Sequence, residues 1–441
     1  ENLHKRGLTE MPKFGFEPVT VPGAIKGWSA LSKRFGRLPF ESLFTDILSL
    51  ARNGFPVGET TASYWAKAAT SYKNVLKEDY FKHWFDTFLF DGLSPVAGQV
   101  ITLLDHASTL EEIASTHGES FYSGALADQI DAFSRKHNGF IRKADLENYQ
   151  VEWVEPISVH YKGYDVFELP PNGQGIVALE ALGILSHLAL DHLDGVLSIH
   201  HQIESLKLAF SDAFAYVSDP KSISLDLSNL LDPTYISSRA SSIGFEAIPP
   251  HPGTPNRGGT VYFATADKDG NMVSFIQSNY MGFGSGLVVP HTGIALHNRG
   301  HNFSMVPNHP NCVQPHKRPY HTIIPGFLSK DNIPLGPFGV MGGFMQPQGH
   351  VQVLSSMIDF HLNPQAALDK PRFQWMKDLQ VIVEPDFNKE VITELLKRGH
   401  QIQIEPELGQ FGRGQIILRN PQSKVYTVGT EKRADGYIAA Y

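Results

Sequence analysis

Thr260 is the residue of this sequence most able to do chemistry because of what precedes it. It follows Pro249-Pro250-His251-Pro252-Gly253-Thr254-Pro255-Asn256-Arg257-Gly258-Gly259 and opens the apolar run Val261–Ala266. The preceding stretch cannot build a helix or a central strand, so it reads as an exposed, mobile processing segment. A threonine hydroxyl alone is a poor nucleophile at neutral pH. Breaking the Gly259–Thr260 bond would give Thr260 an α-amine with a reference pKa of about 7.7–8.0. That amine can take the hydroxyl proton during attack, which places nucleophile and base in one residue. Gly258 and Gly259 supply the backbone freedom that self-cleavage requires. On local pattern alone, a threonine that merely starts a strand is the simpler account.

Two further stretches carry candidate chemistry. Met341-Gly342-Gly343-Phe344 follows the strand-like Leu335–Val340, and adjacent glycines can aim two N–H groups at one point, as an oxyanion hole requires. A plain Gly-Gly turn fits the same letters. The run His309-Pro310-Asn311-Cys312-Val313-Gln314-Pro315-His316-Lys317-Arg318-Pro319-Tyr320-His321 has the residue types of a zinc site. Its prolines work against converging ligands and no H-E-x-x-H helix accompanies it, so no metal or other cofactor is expected. The chain has no G-x-S-x-G, no G-x-G-x-x-G after a strand and no Walker motif, which removes the usual support for a serine hydrolase, a dinucleotide enzyme or an NTPase.

The elements that must position these residues follow from periodicity. From Gly27 to about Asn148 the pattern is mostly helical, with Trp28, Leu31, Phe35 and then Leu43, Ile47, Leu50 at three- and four-residue intervals. Arg52-Asn53-Gly54-Phe55-Pro56 stops a helix. Ile157–Tyr161 and Tyr164–Leu169 read as strands around a Lys162-Gly163 turn, and residues 176–190 and 199–217 as helices with broad apolar faces. After Thr260, Val261–Ala266 and Met272–Gln277 form a hairpin around Asp267-Lys268-Asp269-Gly270-Asn271. Strands are expected at 321–328, 335–341, 400–404, 414–418 and 424–428, and helices at 348–361 and 389–398. The fold class is α/β (α+β), helical first and sheet-rich later.

Composition narrows the class further. The chain of 441 residues has 41% apolar and 19% charged residues, and a formal net charge of −8. That is ordinary globular composition, and the negative balance argues against nucleic-acid binding. No apolar run is long enough to span a bilayer. The single cysteine, Cys312, permits no internal disulfide, which points towards a reducing, cytoplasmic setting. The first residues, Glu1-Asn2-Leu3-His4-Lys5-Arg6-Gly7, lack both an initiator methionine and a signal-peptide pattern.

The order of the motifs along the whole chain resembles the γ-glutamyltranspeptidases. The resemblance is carried by Val21-Pro22-Gly23-Ala24-Ile25-Lys26-Gly27-Trp28, Arg34-Phe35-Gly36-Arg37-Leu38-Pro39, Ala51-Arg52-Asn53-Gly54-Phe55-Pro56-Val57, Phe121-Tyr122-Ser123-Gly124 and Asp145-Leu146-Glu147-Asn148-Tyr149. Leu169-Pro170-Pro171, Leu208-Ala209-Phe210-Ser211-Asp212 and Arg433-Ala434-Asp435-Gly436-Tyr437 extend it. It implies a four-layer αββα N-terminal-nucleophile sandwich, with 1–259 as a large-subunit region and 260–441 as a small one. Family chains also carry a strand-and-helix region ahead of the point where this one starts. The implied cleavage lies between Gly259 and Thr260, with Thr260 as catalytic nucleophile, Ser278 as assisting hydroxyl, and Gly342 and Gly343 as oxyanion glycines. The implied partners are a small acid amide, water or an amine acceptor, and the two fragments of the same chain; a homo-oligomer is compatible with the family.

Departures from the family pattern gather in the acyl pocket. The family's N-N-x-M-D-D-F-S stretch reads His297-Asn298-Arg299-Gly300-His301-Asn302-Phe303-Ser304. Its K-R-P-L-S-S element reads Lys317-Arg318-Pro319-Tyr320-His321-Thr322, and Tyr280 replaces a polar residue. Tyr280, Arg299, Asn302, His321 and Thr322 are thus the candidate substrate-binding residues. A guanidinium repels an ammonium and favours a carboxylate, which resembles the cephalosporin-acylase-like and oxamate-hydrolysing branch. The competing expectations are γ-glutamyl-amide hydrolysis, an acylase activity, a catalytically inactive binding relative and, last, a zinc hydrolase built on His309–His321.

Overall fold

The computed structural model describes residues 2–222, 226–250 and 259–441. Most of the expected processing segment, residues 251–258, lies outside the described residues. The chain packs as two compact units, Glu1–Trp153 with Asn279–Asn302, and Val154–Ser278 with Phe303–Tyr441.

The first unit is helical. Its main helices are α1 (Ala24–Phe35), α2 (Thr45–Asn53), α3 (Glu59–Val75), α4 (Leu104–Ser115) and α5 (Ala125–Lys136). Gly54 ends α2 as expected, with φ +98° and its N–H on Leu50 O at 2.9 Å. The core is aromatic. Phe283, from the returning segment, packs edge-on to Trp84 at 5.2 Å and against Phe88 at 4.7 Å. Leu43, Ile47 and Leu50 sit on helical turns, as their spacing predicts; their side chains are exposed, while Phe44 and Ala51 face inward.

The second unit is built on sheet. Its strands are β1 (Ile157–Tyr161), β2 (Tyr164–Glu168), β3 (Gly259–Ala266), β4 (Met272–Tyr280), β5 (Gly326–Lys330), β6 (Ile333–Met341), β7 (Phe373–Lys377), β8 (Gln380–Val383), β9 (Gln401–Ile404), β10 (Arg413–Arg419) and β11 (Tyr426–Thr430). Six of them form an antiparallel sheet in the order β11-β10-β6-β5-β2-β1. Lys162 and Gly163, both at positive φ, make the β1–β2 turn. The β3–β4 hairpin turns on Asp267, whose Oδ1 accepts from Asp269 N and Asn271 N at 3.0 and 2.9 Å.

Alternation along β6 fixes what lies on each face of the large sheet. At Gly339 a Cβ would meet the Tyr262 ring at 2.5 Å, so the hairpin lies directly on the backbone there. At Val340 the side chain points the other way, into Gly349 of helix α9 (Met345–Ile358). On that helical side lie α6 (Gly175–Ser186), α7 (Val196–Tyr216) and, over them, α8 (Pro233–Ser241). Helix α6 is buried from Gly175 to Leu185, which explains its lack of a polar stripe.

Two differences from expectation have local causes. The strand placed at 321–328 starts only at Gly326, because Pro325 has no N–H to give a ladder. Residues 321–324 are instead held from outside the sheet: His321 bridges Gly173, and Ile324 N donates to Gln346 Oε1 at 3.1 Å. The β7–β8 hairpin turns through Asp378 at φ +47°, with no glycine to advertise it, and β8 then pairs in parallel with β9.

Candidate active site

Thr260 is the second residue of β3, and its hydroxyl faces β4. Thr260 Oγ1 donates to Ser278 Oγ at 3.0 Å. With its proton committed to Ser278, the threonine oxygen keeps its lone pairs for an electrophile. The strand is anchored just beyond by Tyr262, whose hydroxyl lies 2.9 Å from Ser274 Oγ and whose ring rests on Gly339.

The Gly-Gly loop continues β6 into α9. Gly342 has φ +142° and Gly343 φ +61°, conformations that an L side chain resists. Gly342 O accepts from Met345 N at 3.1 Å, and Gly343 O from Gln346 N at 3.2 Å. Both carbonyls are therefore turned onto the first turn of α9. The N–H groups are the loop's remaining polar atoms, beside the positive end of a fourteen-residue helix. Packing is tight at 342: a Cβ there would meet Gly412 Cα at 3.1 Å.

The acyl-recognition candidates divide between the two units. In the second unit, Thr322 is fully buried, and His321 Nδ1 accepts from Ile323 N at 3.3 Å. A residue not singled out from sequence, Gln174, holds this element. Its Nε2 donates to Thr322 O at 2.7 Å and to Gly343 O at 2.8 Å. In the first unit, Tyr280, Arg299 and Asn302 come together. Tyr280 is fully buried at φ +76°, a strained setting for a bulky residue. The Arg299 guanidinium stacks over its ring at 4.6 Å, and the Asn302 side chain lies beside its hydroxyl. Burial drives the Tyr280 phenol above its ordinary range and pushes Arg299 down. Burial and the neighbouring Arg299 charge hold His297 at about 4.

His309 and His321 of the 309–321 run are engaged locally: His309 Nδ1 accepts from Asn311 N at 3.0 Å and His321 Nδ1 from Ile323 N at 3.3 Å. Among the described residues, the group that does converge is His200, Glu204 and His400, all buried. The i, i+4 spacing of His200 and Glu204 on α7 was its only trace in sequence. His200 Nδ1 lies 2.8 Å from His400 Nε2, closer than two ligands of one tetrahedral ion sit. The Lys207 ammonium is already on Glu204 at 2.7 Å. The cluster is a buried ion-pair network with its cation in place.

Similarity to known proteins agrees with this architecture. A crystal structure of cephalosporin acylase from Bacillus halodurans superposes with a TM-score of 0.97 and 54% identity, covering 100% of this chain and 82% of that one. The fold is thus the αββα sandwich of the N-terminal-nucleophile hydrolases. The γ-glutamyltranspeptidase family pattern matches residues 1–441, and the chain belongs to that family of enzymes. Among curated proteins it is similar to the glutathione hydrolase-like YwrD proenzyme of Bacillus subtilis, 33% identical over 98% of this chain and 82% of that protein. It is also similar to the oxamate amidohydrolase proenzyme of Klebsiella pneumoniae, 30% identical over 96% of this chain and 81% of that protein. The family comprises hydrolases and acylases, several of them made as proenzymes.

Proposed function

We propose that the protein is a self-processing amidohydrolase whose nucleophile is Thr260. The observation that carries this reading is the Thr260 Oγ1–Ser278 Oγ hydrogen bond of 3.0 Å at the start of a strand next to the processing segment. In the first stage, Thr260 Oγ1 attacks the Gly259 carbonyl carbon and the acyl group moves from nitrogen to oxygen. Water then hydrolyses the ester, leaving a carboxylate on Gly259 and a free amine on Thr260. In the second stage, that amine takes the Oγ1 proton as the oxygen attacks a substrate amide. The N–H groups of Gly342 and Gly343 receive the developing oxyanion. The ammonium returns its proton to the departing amine, and an ester remains on Thr260. Water, or an acceptor amine, attacks that ester and regenerates the hydroxyl.

The substrate class we assign is an amide whose acyl group ends in a carboxylate, without need of an α-ammonium. Arg299 and Asn302, at the positions where the family pattern has an amide or acid and an aspartate, support this, as does the likeness to a cephalosporin acylase. γ-Glutamyl amides, the substrates of glutathione hydrolases, are the second reading.

Intact mass of the purified protein beside a Thr260→Ala variant tests the first claim. Two fragments meeting at Gly259/Thr260 in the wild type and one chain in the variant are expected; an uncleaved wild type after long incubation would refute it. Hydrolysis of glutaryl and γ-glutamyl anilides by the processed protein tests the second.

A further inference from the structure

The β5–β6 ladder ends at Gly326 opposite Phe338, and Pro325 prevents it from continuing. Beyond that pair the two chains no longer share strand hydrogen bonds. One leads back to Thr322 and the other forward to Gly343. Across the opening stands Gln174, fully buried at the N-cap of α6. An amide NH2 has two protons, and here each is used: one on Thr322 O at 2.7 Å, the other on Gly343 O at 2.8 Å. The same residue's Oε1 accepts from Tyr320 OH at 3.3 Å, and its backbone N–H donates to His321 O at 2.9 Å. Gln174 therefore grips the 320–322 element at three points and the Gly-Gly loop at one.

We propose that Gln174 is a positioning residue that fixes the Gly342–Gly343 loop and the 320–322 element relative to each other through its single side-chain amide. The need arises from glycine. Two successive glycines at positive φ have low barriers to peptide rotation and no side chains to hold them. Holding Gly343 O fixes the plane of the following peptide. Gly342 O on Met345 N fixes the 342–343 peptide and with it the Gly343 N–H, while the bonds to Gly343 O from Gln174 and Gln346 fix the 343–344 peptide and close off rotation about Gly343. Since the same amide holds Thr322, a shift of the recognition element is transmitted to the oxyanion loop. This proposal rests on the threonine-nucleophile reading given above.

The test uses the full-length protein and two near-isosteric variants. Gln174→Met removes both donors. Gln174→Glu places carboxylate oxygens against two carbonyl oxygens, and on protonation recovers one O–H donor. For processed Gln174→Met we expect kcat lower by about 10- to 100-fold, as for a small misplacement of reacting groups, with a smaller change in KM. For Gln174→Glu we expect the ratio of its kcat to wild type to climb as pH falls from 8 to 5; a merely structural role would not give that trend. Wild-type kcat in Gln174→Met, or a flat ratio in Gln174→Glu, overturns the proposal. An inactive or uncleaved wild type would instead sink the threonine reading itself, so the two failures are distinguishable.

Discussion

Replacing Gly342 with alanine separates transition-state stabilisation from folding. At φ +142° an L residue is strained by about 1–3 kcal/mol. Its Cβ would sit 3.1 Å from Gly412 Cα and 3.3 Å from Met345 Cβ, and crowding of that kind costs about 1–3 kcal/mol more. The sum, roughly 2–6 kcal/mol, is a large part of a typical domain's stability of about 5–15 kcal/mol. Rotation of the 341–342 peptide relieves most of it locally. That rotation swings the Gly342 N–H away from its present direction, and loss of one oxyanion donor costs about 10²–10³ in kcat. The variant should therefore melt only about 2–8 °C lower, at about 2–4 °C per kcal/mol for a domain of this size. It should lose at least about a hundredfold in kcat, with KM little changed. Anilide release by processed protein, alongside thermal unfolding, measures both. An alanine variant within threefold of wild-type kcat would show that the Gly342 N–H does not face the oxyanion.

Three further outcomes follow from the same geometry. Ser278→Ala removes the acceptor of the Thr260 proton, and with it about 0.5–1.5 kcal/mol of interaction; self-processing should slow by about 2- to 13-fold, followed by mass, and an unchanged rate would remove Ser278 from the mechanism. Arg299→Gln should shift preference from glutaryl towards γ-glutamyl anilide, and an unshifted ratio would count against an anionic acyl end. Acidification should destabilise the protein through His200, which burial holds at about 4. Between an unfolded pKa of about 6.5 and the folded value, the unfolded chain binds the extra proton. Stability is thus present above pH 6.5 and lost as pH falls towards 4, by roughly 3 kcal/mol for this group. Chemical unfolding of wild type and His200→Gln across that range should show a shallower slope in the variant, and parallel curves would refute the assignment.

Much of the architecture was legible because it is written locally. The Lys162-Gly163 and Asp267–Asn271 turns announce their hairpins, and Gly54 announces the end of α2. The β7–β8 hairpin was hidden because Asp378 turns the chain at φ +47° without the following glycine that marks a two-residue hairpin loop. The start of α8 carries a local signal as well, since Asp232 caps it through Thr234 N and Pro233 occupies its first position. In the site, the threonine and the glycine loop could be found from their residue types, and Ser278 only through the resemblance to the family. Gln174 could not, since its role exists only where two carbonyls 21 positions apart in the chain meet one amide. His200 and His400, 200 positions apart, were invisible for the same reason.

Strand β2 lies before the Gly259–Thr260 bond and β5 after it, yet they pair directly, Asp165 with Ser329, Val166 with Leu328 and Phe167 with Phe327. Scission of the Gly259–Thr260 bond would consequently leave one continuous sheet shared by two polypeptides. Removing denaturant from the uncut chain is a first-order problem. For the cut protein the fragments must find each other, so recovery should depend on concentration and fail on dilution. Maturation would then turn a reversible folding equilibrium into an assembly whose lifetime is set by how slowly the shared sheet comes apart.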